Sequence, residues 1–210
     1  MNIKIQGPDW ISVAEKVAKK KDIQIRIDLD GCLCDWLKGC CDVCKIDVED
    51  KKIREKLKNN VKVQDLSDGL TEEAMWDRIV EVGCSWWENL EKFPWADELV
   101  NKMKKLGEVA FLTSPGNLEK WPKSVPDAAK GKMLWTLKHF SDIPMIICHR
   151  KDLCASPNTL LIDDDEKKVK AFSKAGGKTF FWPQQYKIKD KDVELSELFN
   201  RIEEIVDGMK

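Results

Sequence analysis

The chain has 210 residues, 42% of them apolar and 35% charged, with 36 basic against 37 acidic side chains and a net charge of −1. That balance supports one sizeable core with material left for a small insert, and it excludes a disordered chain. The lack of a basic excess argues against long nucleic acid as a partner. With no signal-peptide pattern and no run near 18 apolar residues, a cytoplasmic protein that avoids membranes is expected.

Residues 9–20 (DWISVAEKVAKK) read as a short helix capped by Asp9. IQIRIDLDG (23–31) alternates apolar and polar positions and then ends in two aspartates and a glycine, the pattern of a strand entering a turn. Residues 32–92 are largely helical in pattern and rich in cysteine and tryptophan. Within them Trp76, Ile79, Val80, Gly83, Trp87 and Leu90 share one face of a predicted helix, with Trp86 at its edge. Four further buried strands are predicted at 108–114, 144–149, 159–165 and 178–183. Helical patterns lie at 96–106, 127–140, 166–175 and 193–208. This alternation predicts an α/β fold, with a mostly parallel sheet flanked by helices. In such sheets ligands sit beyond the carboxyl ends of the strands.

Four strand ends carry polar residues suited to chemistry. Asp28 and Asp30 lie two apart before Gly31, so both carboxylates can border one pocket, and Gly31 lets the backbone turn and approach a ligand. Carboxylates this close need a cation or a shared proton between them. Thr113 and Ser114 leave the second strand just before a Pro-Gly turn, where hydroxyls and backbone amides can hold an anion. Lys151 follows a strand and can set a positive charge against an anion; His149 and Arg150 compete for that role. Asp163, Asp164 and Asp165 end another apolar run. Their mutual repulsion is relieved by a hard divalent cation, and Asp165 is the choice for helix N-cap. Each motif alone also has an ordinary structural reading as a turn, a surface lysine or a cap.

In this order the four motifs resemble the haloacid-dehalogenase superfamily over roughly 23–31 and 93–185. The segments DLDGCLCDW, SWWENLEKFPWADEL, FLTSPG, KGKMLW and TLLIDDD are similar to the 5'(3')-deoxyribonucleotidase group. The resemblance implies a catalytic core at 1–31 and 93–210, with a helical cap at 32–92 inserted after the first core strand. It implies Asp28 as nucleophile and Asp30 as general acid and base. It places Mg2+ on Asp28, the Asp30 carbonyl and Asp164, with Asp163 assisting. Thr113, Ser114, Lys151 and Lys132 would bind phosphate. Trp36, Trp76 and Trp86 would contact a base, with Trp36 and Trp86 the better pocket candidates and Trp76 and Trp87 the better candidates for packing.

The expected activity is hydrolysis of nucleoside 5'-monophosphates, deoxyribonucleotides first. The alternatives are another small phosphorylated metabolite, a polynucleotide end, or a non-catalytic binding protein of the same fold. A homodimer is left open. Cys41-x-x-Cys44 has the spacing of half a zinc site, but the insert holds no second pair, so reduced thiols packed in the cap are expected.

Overall fold

The computed structural model describes residues 23–59 and 61–209. The helix expected at 9–20 lies outside them. Five strands form one wholly parallel sheet: β1 (Gln24–Ile27), β2 (Glu108–Thr113), β3 (Met145–Ile147), β4 (Thr159–Asp163) and β5 (Lys178–Phe181), in the order β3-β2-β1-β4-β5. The strand alternation sorts side chains between two faces. Ile25, Ile27, Val109, Phe111, Leu160 and Ile162 enter the main core, whereas Leu112 and Leu161 pack with Phe172 on the other side.

The helices after residue 92 follow the predicted pattern, except for one short helix between β5 and the last helix that was not expected. Between β1 and β2 the chain ends its long helical excursion with α5 (Ala96–Leu106), after α1 (Trp36–Val43), α2 (Lys51–Lys58), α3 (Glu72–Val82) and α4 (Cys84–Glu88). Then come α6 (Val125–His139), α7 (Glu166–Lys174), the short α8 (Gln185–Lys189) and α9 (Leu195–Asp207). Leu99 and Met103 of α5 and Leu198, Phe199 and Ile202 of α9 are buried in the main core. Asp165 caps α7 as expected, accepting from the Lys167 and Lys168 amides. Among the described residues, 32–92 contain helices and no named strand. No helix of the described chain is long and apolar enough to cross a membrane.

One expected helix differs. The face from Trp76 to Leu90 is divided at Gly83, whose φ of +70° ends α3 and starts α4 in a new direction. That left-handed conformation suits glycine, which has no Cβ to clash. The break changes which tryptophans face the same way, with consequences for the site below.

Two sets of polar contacts, among others, tie the helical segment 32–92 to the end of the chain. Asp35 is buried, caps α1 through the Lys38 amide, and also receives Gln185 and the Lys189 ammonium, the latter at 2.6 Å. On α2, Arg54 pairs with Asp190 and Lys58 with Asp192. Both ties join the insert to α8 and the loop after it.

The contact between α4 and α6 is close enough to exclude any side chain at Gly131. A Cβ there would lie 2.4 Å from the Cβ of Trp87 and 2.6 Å from the Cys84 carbonyl oxygen. Helix propensity favours alanine over glycine by about 1 kcal/mol, but overpacking against backbone costs about 1–3 kcal/mol. Gly131→Ala is therefore expected to destabilise the protein by up to about 2 kcal/mol, read as a lower urea midpoint. An unchanged or raised midpoint would show that the two helices can part freely.

Candidate active site

Because all strands run the same way, their last residues meet at one edge of the sheet. Asp28 still belongs to the ladder, its amide donating to the Ile162 carbonyl at 2.9 Å. Thr113 ends β2 and Asp163 ends β4. The strand order reverses direction between β1 and β4, so Asp28 and Asp163 flank the point where an open sheet leaves a crevice.

Lys151 joins these two acids. Its ammonium lies 2.8 Å from Asp28 Oδ1 and 2.6 Å from Asp163 Oδ2, and all three side chains are almost wholly buried. Asp28 Oδ1 accepts from the Leu29 amide at 2.9 Å, and Asp163 Oδ1 from the Asp165 amide at 2.9 Å. Lys151 sits in a one-turn helix, Lys151–Cys154, just after β3.

Lys132, from the middle of α6, makes a second cationic node. It donates to Asp30 Oδ2 at 2.5 Å, to the Ser114 carbonyl at 2.6 Å and to Thr113 Oγ1 at 3.1 Å. The Asp30 carboxylate is further contacted by the Cys34 thiol, which donates to Oδ1 at 3.5 Å. Asp28 and Asp30 therefore border one space while each carboxylate has its own lysine. Gly31 makes the turn possible twice over. Its φ is +75°, and a Cβ would come 1.9 Å from Asp164 Oδ2.

The electrostatics follow from burial and from these lysines. Burial pushes the Asp28 carboxyl up, but Lys151, Lys168 and Lys132 outweigh it and hold the group below the usual carboxylate range. Asp163 is pushed up to about 6 by burial, then by the neighbouring Asp28 charge. Asp164 is exposed to the cleft; crowding by the surrounding protein, with the Asp28 and Asp163 charges beside it, pushes its carboxyl up. One carboxylate oxygen from each of Asp28, Asp163 and Asp164 lies within 4.8 Å of the other two. Three hard oxygen donors converging under mutual repulsion fit a small divalent cation such as Mg2+.

Above these acids opens a cleft of about 1180 Å³. Asp28, Asp30, Ser114, Lys132, Asp164 and Lys168 line one side; Trp36, Lys62, Trp76 and Trp87 come from the insert. The ring of Trp76 lies 6.3 Å from both Trp36 and Trp87 and stacks on Trp121 at 5.6 Å. Trp86 points elsewhere. Its indole donates to the Gly39 carbonyl, and it lines a separate hollow with Asp35, Lys38 and Asn89. The expectation that Trp86 would line the pocket fails because of the turn at Gly83, whereas Trp87 packs in the core against α6 as expected and also lines the cleft. Lys151 is beneath the cleft floor rather than on its surface. Lys168 was not singled out from the sequence, where it is one of several lysines in a surface-like helix. Its place four residues after Asp164, one helical turn on, is the signal that would have found it.

Solved structures similar to the chain include a haloacid dehalogenase-like hydrolase from Burkholderia xenovorans, 17% identical over 84% of this chain and 91% of that one, with a TM-score of 0.45. Others are a haloacid dehalogenase-like family hydrolase from Xanthomonas campestris (14%, 79% and 83%, TM-score 0.43) and a hydrolase from Streptococcus pneumoniae (13%, 83% and 100%, TM-score 0.45). No curated protein matches the chain at a significant level. The family model described as "5' nucleotidase, deoxy (Pyrimidine), cytosolic type C protein" matches residues 21–206, from just before β1 to the last turn of α9. The match spans both the strand-end acids and the helical segment 32–92, so the chain belongs to this nucleotidase family and is a phosphoric monoester hydrolase.

Proposed function

We propose that the protein is a magnesium-dependent phosphomonoesterase that hydrolyses nucleoside 5'-monophosphates, deoxyribonucleotides first, through an aspartyl-phosphate on Asp28. The observation that carries this reading is the buried Asp28–Lys151–Asp163 set at the floor of a cleft whose far wall is made of insert tryptophans. The first part suits phosphoryl transfer, and the second suits a flat aromatic base.

Asp28 attacks phosphorus in line with the ester oxygen, forming an O–P bond as the ester P–O bond breaks. Asp30 delivers a proton to the departing oxygen. It then takes a proton from water, whose oxygen attacks phosphorus, releases inorganic phosphate and regenerates the Asp28 carboxylate. Lys151 holds Asp28 from below and keeps it ionised; Lys132 orients Asp30 and, with Thr113 and Ser114, borders the phosphoryl group. Asp28, Asp163, Asp164 and the Asp30 carbonyl would hold Mg2+, which when bound neutralises charge on the phosphoryl oxygens. In this reading 32–92 is a cap and 1–31 with 93–210 the catalytic core. The cap supplies Trp36, Trp76 and Trp87 and shields the reacting group from bulk water.

Three outcomes are expected. Asp28→Asn should keep its circular dichroism and lose phosphate release by on the order of 10⁴-fold or more; a variant with near-normal turnover removes Asp28 as nucleophile. Chelator-treated protein should melt higher as Mg2+ is added, by the equivalent of about 2.7 kcal/mol at a hundred times the dissociation constant. Asp164→Asn should remove most of that rise, and a melting point blind to Mg2+ contradicts the metal site. Across a panel of deoxyribonucleoside, ribonucleoside and sugar monophosphates, the deoxyribonucleotides should turn over fastest. Trp36→Ala should raise their KM by about 5- to 150-fold, the value of one base stack. Sugar phosphates turning over faster, with KM indifferent to Trp36, would reject the nucleotide assignment.

A further inference from the structure

Three lysines approach the Asp28 carboxylate, but only one has an ammonium to spare. Lys151 is held between Asp28 and Asp163 beneath the cleft and does not line it. Lys132 lines the cleft, but its three donors already go to Asp30, Thr113 and Ser114. An ammonium has three donors and no acceptor, so Lys132 is fully committed before any ligand arrives, and Lys151 is held by two buried carboxylates away from the cleft.

Lys168 is different. It lies in the first turn of α7 and its side chain lines the cleft, half-buried. Its Nζ stands 3.9 Å from Asp28 Oδ2, the oxygen Lys151 does not contact, and 4.0 Å from Asp165 Oδ2. Neither separation is a hydrogen bond. Among the described residues Lys168 thus carries the cation beside Asp28 whose donors have no hydrogen-bonded acceptor. Its position also runs against local preference. A positive charge in the first turn of a helix opposes the macrodipole, which favours cations at the other end.

We infer that Lys168 is a further catalytic residue, whose ammonium binds a non-bridging oxygen of the phosphoryl group as it passes over Asp28 Oδ2. This rests on the phosphatase reading above but not on the nucleotide part of it. Of the chain's own ammonium groups, Lys151 meets the Asp28 carboxylate only from below, so whatever charge Mg2+ supplies when bound, the cleft side of Asp28 Oδ2 has no other hydrogen-bonding cation. Lys168 supplies positive charge from the cleft side, at the height where the equatorial oxygens carry the transition-state charge. It donates no proton and forms no bond; it is the same cation before and after each step.

The test uses p-nitrophenyl phosphate, which has no base to bind, so the cap contacts are not part of the readout. Lys168→Met should lower kcat by about 10²-fold, the usual loss on removing one preorganised donor. Its inhibition constant for orthovanadate, a mimic of five-coordinate phosphorus, should weaken in parallel. Lys168→Arg should recover much of both. A merely structural lysine would change the melting temperature and leave the activity of the folded fraction and the orthovanadate constant alone. Should Lys168→Met fold poorly, Lys168→Gln read the same way decides. Folded variants within about threefold of wild type in kcat and orthovanadate inhibition, where one donor is worth about 10²-fold, overturn the role of Lys168 while leaving the phosphatase intact. A wild-type protein inert toward the ester with Mg2+ present overturns the phosphatase reading, and this role with it.

Discussion

The site depends on one buried ammonium. Asp28 and Asp163 end neighbouring parallel strands, so the sheet itself forces two carboxylates together in a place with little water. At such separations like charges repel strongly where hydration is poor. Lys151 lies between them and converts a repulsive pair into a bridged set. Removing one member of a set like this generally costs about 3–5 kcal/mol, because the partners stay buried and unpaired. The same contact that permits the fold also keeps Asp28 ionised. Stability and chemistry therefore place the same demand on residue 151.

Around that set the charges are layered. Lys151 lies underneath, Lys132 holds Asp30 and the end of β2 at the side, and Lys168 stands at the cleft surface. Asp164 is kept in place by Gly31, whose missing side chain leaves room for its carboxylate. The rigid parts of this arrangement come from strand ends and from the middle of α6. The aromatic wall comes from the insert, which α8 and its following loop grip through Asp35, Arg54 and Lys58. The partly exposed ion pairs among these contribute little individually. The buried Asp35, with three donors on it, is the firmer tie.

The sheet was legible because each strand is a short apolar run ending in polar residues, and parallel burial on both faces leaves that trace. The edge strand β3 shows the limit. Only Met145–Ile147 pair, although the apolar run is longer, because a single neighbour offers hydrogen bonds on one side. Asp165 was readable as a cap because capping is local. The tryptophans were not. Treating 76–90 as one helix puts Trp86 and Trp87 at fixed angles from Trp76, and the turn at Gly83 resets those angles. Lys168 was hidden for another reason. A lysine in a charged helix looks like solvent-facing surface until the strand end opposite it is known.

What the sequence determined by itself is local: the strand ends with their acids, the turn at Gly31, the cap at Asp165 and the helical character of 32–92. It also carried enough motif order to reveal a family. The tertiary structure alone decided which cation meets which acid, which tryptophans face the cleft, and that Lys151 lies below the floor while Lys168 stands on it. Lys132 and Asp30 are separated by 102 positions and Asp35 and Lys189 by 154. Pairings at such distances are set by how helices pack on the sheet, and no pattern within a few turns of chain encodes that.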